Sequence, residues 1–516
     1  MSDDGIFIGG GGEGYGSAQH LRLKYGNRHG LIAGATGTGK TVTLQILAQG
    51  FADAGVPVFL SDVKGDLSGL AKPGSSDFKL HDAFTSRAET IGLDHVYGDA
   101  PVTFWDLFGR QGHPVRTTVA EMGPLLLSRL LDLSEAQEGV LNVAFRVADE
   151  EGLPLLDLDD LRAMLVWVGQ NADDLSLRYG NVATSSVGAI QRSLLVLENQ
   201  GGAALFGEPA LDLSDLMTVD PDGRGRINIL AADELMASPQ LYATFLLWLL
   251  AELFEELPEV GNPDKPRLVF FFDEAHLLFD DAPKALLDKV EQVARLIRSK
   301  GVGVFFVTQN PGDVPDDVLN QLGNRIQHAL RAFTANDQRE LQKAADTYRP
   351  NPRFDTAEAI RDVGTGEAVT SMLEDKGAPG VVERTLIRPP ASQLGPITTA
   401  ERDAILAASA MGPKYDEAID RESAAERLKA RADAAAKAAQ AAEAAEEQAE
   451  AEDREFRAAR RYDGGRSTVG RSTSRRLSGR DRSFGQAMSD MVVKELTGTT
   501  GRRMVRGLLG GLFKGR

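Results

Sequence analysis

Short apolar runs recur along the chain at Gly30–Ala33, Val56–Leu60, Val102–Trp105, Arg226–Leu230, Leu268–Phe272, Val302–Val307, Ile326–Ala332, Glu367–Ser371 and Val381–Arg388. Runs of this length, bounded by Gly, Pro and Asp, predict buried strands. Between them the apolar positions take a helical period over Val42–Ala54, Leu241–Leu257, Ala285–Lys300 and Asn336–Ala345. Strand and helix signals in alternation predict an α/β fold with a mostly parallel sheet. From Thr117 to Asn199 the period is helical throughout. An all-helical insertion over 116–200 is therefore expected, between a first core part at 1–115 and a second at 201–414.

A different texture begins near residue 415. Arg421–Ala451 holds 15 alanines in 31 residues, with Glu, Lys, Arg and Gln filling most of the rest. No stripe of Leu, Ile or Val repeats there, which predicts a long solvated helix and not a coiled coil. The following DGGRSTVGRSTSRRLSGR reads as a flexible basic linker, and Met488–Lys514 as a short amphipathic helix. Residues 415–516 thus form an Ala/Glu-rich helix with a basic tail.

Charge sharpens this division. The chain carries a net −18 with pI near 5.0, yet Arg457–Arg516 holds 15 basic against 4 acidic residues. An acidic body wears a basic tail, which excludes a uniformly basic nucleic-acid coat. There is no cysteine, so disulfides, Cys-based zinc sites, iron–sulfur clusters and thiol nucleophiles are excluded. The longest apolar segment, Leu241–Phe254, is interrupted by Glu252 and too short to span a bilayer. MSDDGIFIGG lacks the basic and apolar regions of a signal peptide, so a cytoplasmic location without stable membrane insertion is expected.

The most specific chemistry lies in Gly34-Ala35-Thr36-Gly37-Thr38-Gly39-Lys40-Thr41, which follows an apolar run and opens a helical one. Glycines let a backbone wrap phosphates, and successive N–H groups and a helix N-terminus face the anion. Lys40 is placed to reach the terminal phosphates and Thr41 to ligate Mg²⁺. A second motif, Leu268-Val269-Phe270-Phe271-Phe272-Asp273-Glu274-Ala275-His276, is a buried strand ending in two carboxylates. Parallel sheets bind ligands at that end of a strand. Asp273 is expected on Mg²⁺ and Glu274 as the group that polarises the attacking water. His276 is read as serving a local hydrogen bond. A third buried run, Val302–Val307, ends in Thr308-Gln309-Asn310, where Thr308 or Gln309 would sense a γ-phosphate. Arg295 and Arg298 stand one turn apart in the preceding helix, as surface residues or as fingers reaching a neighbouring subunit's nucleotide. Lys64 and Lys72 in DVKGDLSGLAKPG are candidates for a pore loop.

Together NRHGLIAGATGTGKT, VFLSDVKGDLSGLA, LVFFFDEAH, SKGVGVFFVTQNPGDVPDDVL and NRIQHALRAF resemble the bacterial, YjgR-like branch of the HerA/FtsK-type P-loop ATPases over about residues 5–390. The resemblance implies a RecA-like core, ATP and Mg²⁺, and a hexameric ring working on DNA. It implies Lys40 and Thr41 on phosphate and metal, Asp273 on metal and Glu274 as catalytic base. It further implies Gln309 as sensor and Arg298 as the finger in trans, with Arg325 and Arg331 as rivals. Archaeal relatives begin with a small β-barrel, which residues 1–29 before the first strand cannot hold, and this puts pairing with a NurA-type nuclease in doubt. Two other readings stay open: a motor of this fold acting on protein or membrane machinery, and a nucleotide-gated scaffold.

Overall fold

The computed structural model describes residues 5–279, 284–332 and 334–462. Among these, twelve strands form one sheet: β1 (Gly5–Gly11), β2 (Ser17–Arg22), β3 (Gly30–Ala33), β4 (Val58–Asp62), β5 (Val102–Asp106), β6 (His113–Pro114), β7 (Ile227–Ala231), β8 (Leu268–Phe272), β9 (Val302–Thr308), β10 (Asn324–Gln327), β11 (Glu367–Ser371) and β12 (Glu383–Ile387). Their order is β2-β1-β12-β11-β10-β3-β9-β8-β4-β7-β5-β6. Every pairing from β10 to β6 is parallel, and every pairing from β2 to β10 is antiparallel. The protein is thus a mixed α/β P-loop fold with a large, mostly parallel sheet.

The central parallel strands β8 and β9 are apolar and buried along their length, as strands covered on both faces are. Phe270, Phe271 and Phe272 of β8 are fully buried. Phe271 stacks on Phe305 of β9 at 5.1 Å between ring centroids, and Phe51 of the helix Lys40–Asp53 meets Phe305 edge-on at 5.8 Å. Helices occupy Pro239–Glu256, Lys284–Leu296 and Ala335–Asp346, close to the spans the periodicity predicts.

The sequence pattern missed β1 and β2. Glycine is a poor strand former, yet at Gly9 a Cβ would stand 2.1 Å from the carbonyl oxygen of Leu386 on β12. The close backbone approach requires the residue that hides the strand. The expected strand Ile326–Ala332 ends at Gln327, because the next backbone turns to the Gly34–Thr41 loop: the His328 N–H donates to Ala33 O at 2.7 Å, and Ala329 O accepts from the Ala35 N–H at 2.8 Å.

Helices Val119–Leu130, Glu135–Glu150, Leu158–Gln170, Ala172–Tyr179 and Thr184–Asn199 fill the stretch between β6 and β7. The described residues divide into two units, one ending at residue 421 and one beginning at residue 422. The first extends past residue 415 because Tyr415, fully buried, meets Trp105 edge-on at 5.1 Å, and its carbonyl accepts from Arg116 at 2.9 Å. In the second unit Ala424–Tyr462 is one helix, exposed over most of its length, with Arg457 paired to Asp453 at 2.9 Å. The basic linker and the amphipathic segment Met488–Lys514 lie outside the described residues. Among the described residues no helix is long and apolar enough to cross a membrane.

Candidate functional site

The site forms where β3, β8 and β9 end. Gly34, Gly37 and Gly39 take φ of 151°, 78° and 116°, backbone that side chains rarely adopt. Gly34 also has no room for a Cβ, which would lie 2.5 Å from that of His328. Three neighbours pin the loop: Gly34 N–H donates to Thr308 O at 3.3 Å, Ala35 N–H to Ala329 O, and Gly366 N–H to Thr38 O at 3.0 Å. Lys40 opens the following helix, and its ammonium donates to the carbonyls of Gly34 and Ala35. Burial, then the charge of Lys64, pushes its pKa down, while Glu274 and Asp273 oppose the shift.

Asp273 and Glu274 follow β8 directly. Asp273 is 9 % exposed, and burial pushes its carboxyl up to about 6 against the pull of Lys64. Its backbone is held from β4 and the helix Pro239–Glu256. Tyr242 Oη donates to Asp273 O at 3.0 Å and shares a 2.7 Å hydrogen bond with Ser61 Oγ, which accepts from the Asp273 N–H at 3.3 Å. Glu274 sits at φ 49°, a left-handed conformation unusual for its type, and it aims a buried carboxylate at three partners. Lys64 Nζ lies 3.0 Å from Oε1, Gln309 Nε2 donates to Oε2 at 3.4 Å, and His276 Nδ1 lies 3.5 Å from Oε2. Burial raises the Glu274 pKa, but Lys64 outweighs it, with help from Gln309 and His276, so the carboxyl is held below its usual range.

A cavity of about 310 Å³ brings Lys40, Thr41 and the loop residues before them together with Lys64, Asp66 and Asp273, and Glu274 borders it only through Asp273 and Lys64. The hydroxyl of Thr41 and the buried carboxylate of Asp273 are the hard oxygen donors that Mg²⁺ takes. The loop and Lys40 supply the N–H groups and ammonium that a polyphosphate needs.

Lys64 lines the cavity and pairs with Glu274, and Lys72 pairs with Glu401. Thr308 is committed to Asp313, whose Oδ2 accepts from Oγ1 at 2.5 Å, which leaves Gln309 as the end-of-strand residue at Glu274. The arginines are not part of this cluster. Arg298 lies in the turn Ile297–Lys300 before β9, at the opposite edge of the sheet, and its carbonyl accepts from Asn27 at 3.3 Å. Arg325 donates to the carbonyls of Leu322 and Leu319 at 3.0 Å each, a structural use of its guanidinium. Arg331 is exposed beyond β10, and Arg295 pairs with Glu291 in its own helix. Residues missed beforehand include Ser61, Tyr242 and His328. His328 is fully buried between Thr43 Oγ1 at 2.9 Å and Glu367 O at 3.0 Å. His328 lies inside the run Ile326–Ala332, where no local pattern sets it apart.

The chain is 22% identical over 362 residues to the DNA double-strand break repair helicase HerA of Sulfolobus acidocaldarius, covering 68% of this chain and 63% of that protein. The chain therefore spans less than two thirds of that relative's length. It is 29% identical over 142 residues to the probable helicase MJECL08 of Methanocaldococcus jannaschii, covering 26% of each. VirB4 of Thermoanaerobacter pseudethanolicus superposes with a TM-score of 0.48 at 15% identity, over 75% of this chain and 97% of that one. The plasmid coupling protein TrwB in complex with a non-hydrolysable ATP analogue gives 0.45 at 17% identity, over 72% and 88%. The profile of the family described as Helicase HerA-like C-terminal matches residues 12–516, and the chain belongs to this family of P-loop NTPases.

Proposed function

We propose that this protein is a ring-forming ATPase, hexameric and cytoplasmic, that hydrolyses ATP with Mg²⁺ to translocate along or remodel DNA. One observation carries the hydrolytic part: Lys40 and Asp273 line a single cavity, and Glu274, beside Asp273, is held ionised by Lys64 and Gln309. DNA as the track is supported by family membership and by the name of the HerA relative.

Thr41 and Asp273 would hold Mg²⁺, which neutralises phosphate charge when bound. The chain's own residues do the rest. Lys40 and the N–H groups of Gly37, Gly39, Lys40 and Thr41 hold the β- and γ-phosphates. Glu274 takes a proton from the attacking water as the new P–O bond forms, and the bond to the ADP oxygen breaks. Gln309 orients that water or reads the γ-phosphate through its amide. Arg298 lies far from its own subunit's cavity and serves the neighbour's, where a guanidinium stabilises charge developing in phosphoryl transfer. Residues 1–115 and 201–414 form the motor core in this reading, with the helices between them and residues 415–516 as accessories.

The test is steady-state ATP turnover with and without DNA, beside a mass measurement of the assembly. DNA-stimulated turnover by a six-fold multiple of the chain is expected. Turnover indifferent to DNA sinks the nucleic-acid track, and a monomer that hydrolyses ATP sinks the ring.

A further inference from the structure

Lys64 is the feature that the functional reading leaves over. A P-loop needs one ammonium at the terminal phosphates, and Lys40 supplies it. This cavity has a second, Lys64, on the loop after β4. It is not a bystander. Its Nζ lies 3.0 Å from Glu274 Oε1, while the same side chain lines the cavity wall with Asp66 and Asp273. Lys64 is 43 % exposed at its side chain, whereas Glu274 is nearly buried at 9 %. The mobile partner is therefore the lysine, on a flexible four-carbon stem with three donors. The carboxylate is fixed by a strained backbone at φ 49° and by the Gln309 amide.

Resting on the ATPase reading above, we infer that Lys64 is a γ-phosphate-responsive catch on the catalytic base: it grips Glu274 until a triphosphate draws its ammonium away. A γ-phosphate brings up to two negative charges into a cavity that already holds Lys64. An ammonium shared between one carboxylate and that phosphate moves toward the larger charge. ADP presents no such group and leaves the pair closed. Glu274 then becomes free to accept the proton of water only when there is a phosphoryl group to transfer, so the pair couples nucleotide identity to readiness of the base.

The coupling is thermodynamic and can be read without turnover. If ATP must break the Lys64–Glu274 pair, removing the charge of Glu274 removes that cost. Glu274→Gln should bind AMPPNP tighter than the unaltered protein by about tenfold, with ADP affinity unchanged. Lys64→Met should weaken AMPPNP by about tenfold, again without moving ADP. In Lys64→Met/Glu274→Gln the gain should vanish, because no cation is left to release. Lys64→Arg should restore part of the AMPPNP-to-ADP preference, which a merely structural role would not do. These affinities are measured by isothermal titration of the full chain with Mg²⁺. The inference is overturned if Glu274→Gln leaves the AMPPNP-to-ADP ratio unchanged, or shifts it equally with Met at position 64. If instead Lys40→Ala binds AMPPNP as well as the unaltered protein, the P-loop reading itself falls.

Discussion

The two edges of the parallel sheet carry the same kinds of residue and use them differently. At the C-terminal edge Lys40, Lys64, Asp273 and Glu274 face a common cavity or one another. At the opposite ends of the strands Arg28 and His29 stand before β3 and Arg298 before β9, while Arg325, within β10, gives its guanidinium to main-chain carbonyls. Parallel strands send every crossover out at one edge and back at the other, so loops that begin after a strand converge on chemistry. Loops that end before a strand converge on closure of the fold. Arg298 is the exception to watch, half-buried at the closing edge and lowered in pKa by burial and by Arg28.

Lys40→Ala makes the largest break. Nucleotide binding should vanish, as titration calorimetry reads directly, while the closing edge stays intact by circular dichroism. Arg298→Ala comes next. It should bind ATP normally and hydrolyse it about 10³-fold slower, as for fingers in trans. Mixed with Lys40→Ala subunits, each inactive alone, it should recover partial activity. Exchange without recovery means that Arg298 acts within its own subunit or not at all, and makes Arg325 or Arg331 the better candidate. Glu274→Gln should lower kcat by about 10² or more while nucleotide stays bound, and retained turnover would remove the base from the catalytic edge.

A smaller effect treats both edges alike. His29 and His328 are buried at opposite edges, and burial lowers each to about 4. Each stays neutral in the folded chain but takes up a proton near 6.5 when unfolded. Stability complete at neutral pH is then lost as pH falls from 6.5 towards 4, by about 3 kcal/mol per histidine. Urea midpoints at pH 7 and 4.5 measure it, and equal midpoints refute it. Smallest is Tyr242→Phe, which removes the hydroxyl between Ser61 and Asp273 and should cost about 1 kcal/mol in chemical denaturation.

The catalytic edge was legible wherever its chemistry is local in sequence. The glycines and Lys40 of the loop, and Asp273-Glu274 after five apolar residues, announce themselves because strand, turn and helix follow within one short segment. What stayed hidden is long-range. Ser61 and Tyr242 stand 181 positions apart, and no periodicity links them. Lys64 was visible as a polar loop residue, but its partner is decided by the adjacency of β4 and β8, which strand order sets and local pattern does not. The strand β1 was hidden for the opposite reason, since the glycines that permit its pairing with β12 erase the alternation that would reveal it.

Strand β9 works as a ruler. It lies between β3, which carries the phosphate loop, and β8, which carries Asp273 and Glu274, paired in register with both. Two interstrand steps put roughly 10 Å between the two neighbours of β9. Directly adjacent strands would halve that separation. The gauge is set by backbone hydrogen bonds, so side-chain substitutions in β9 change stability without changing the gap. Its last residue, Thr308, accepts from the Gly34 N–H of the loop, and the next, Gln309, donates to Glu274.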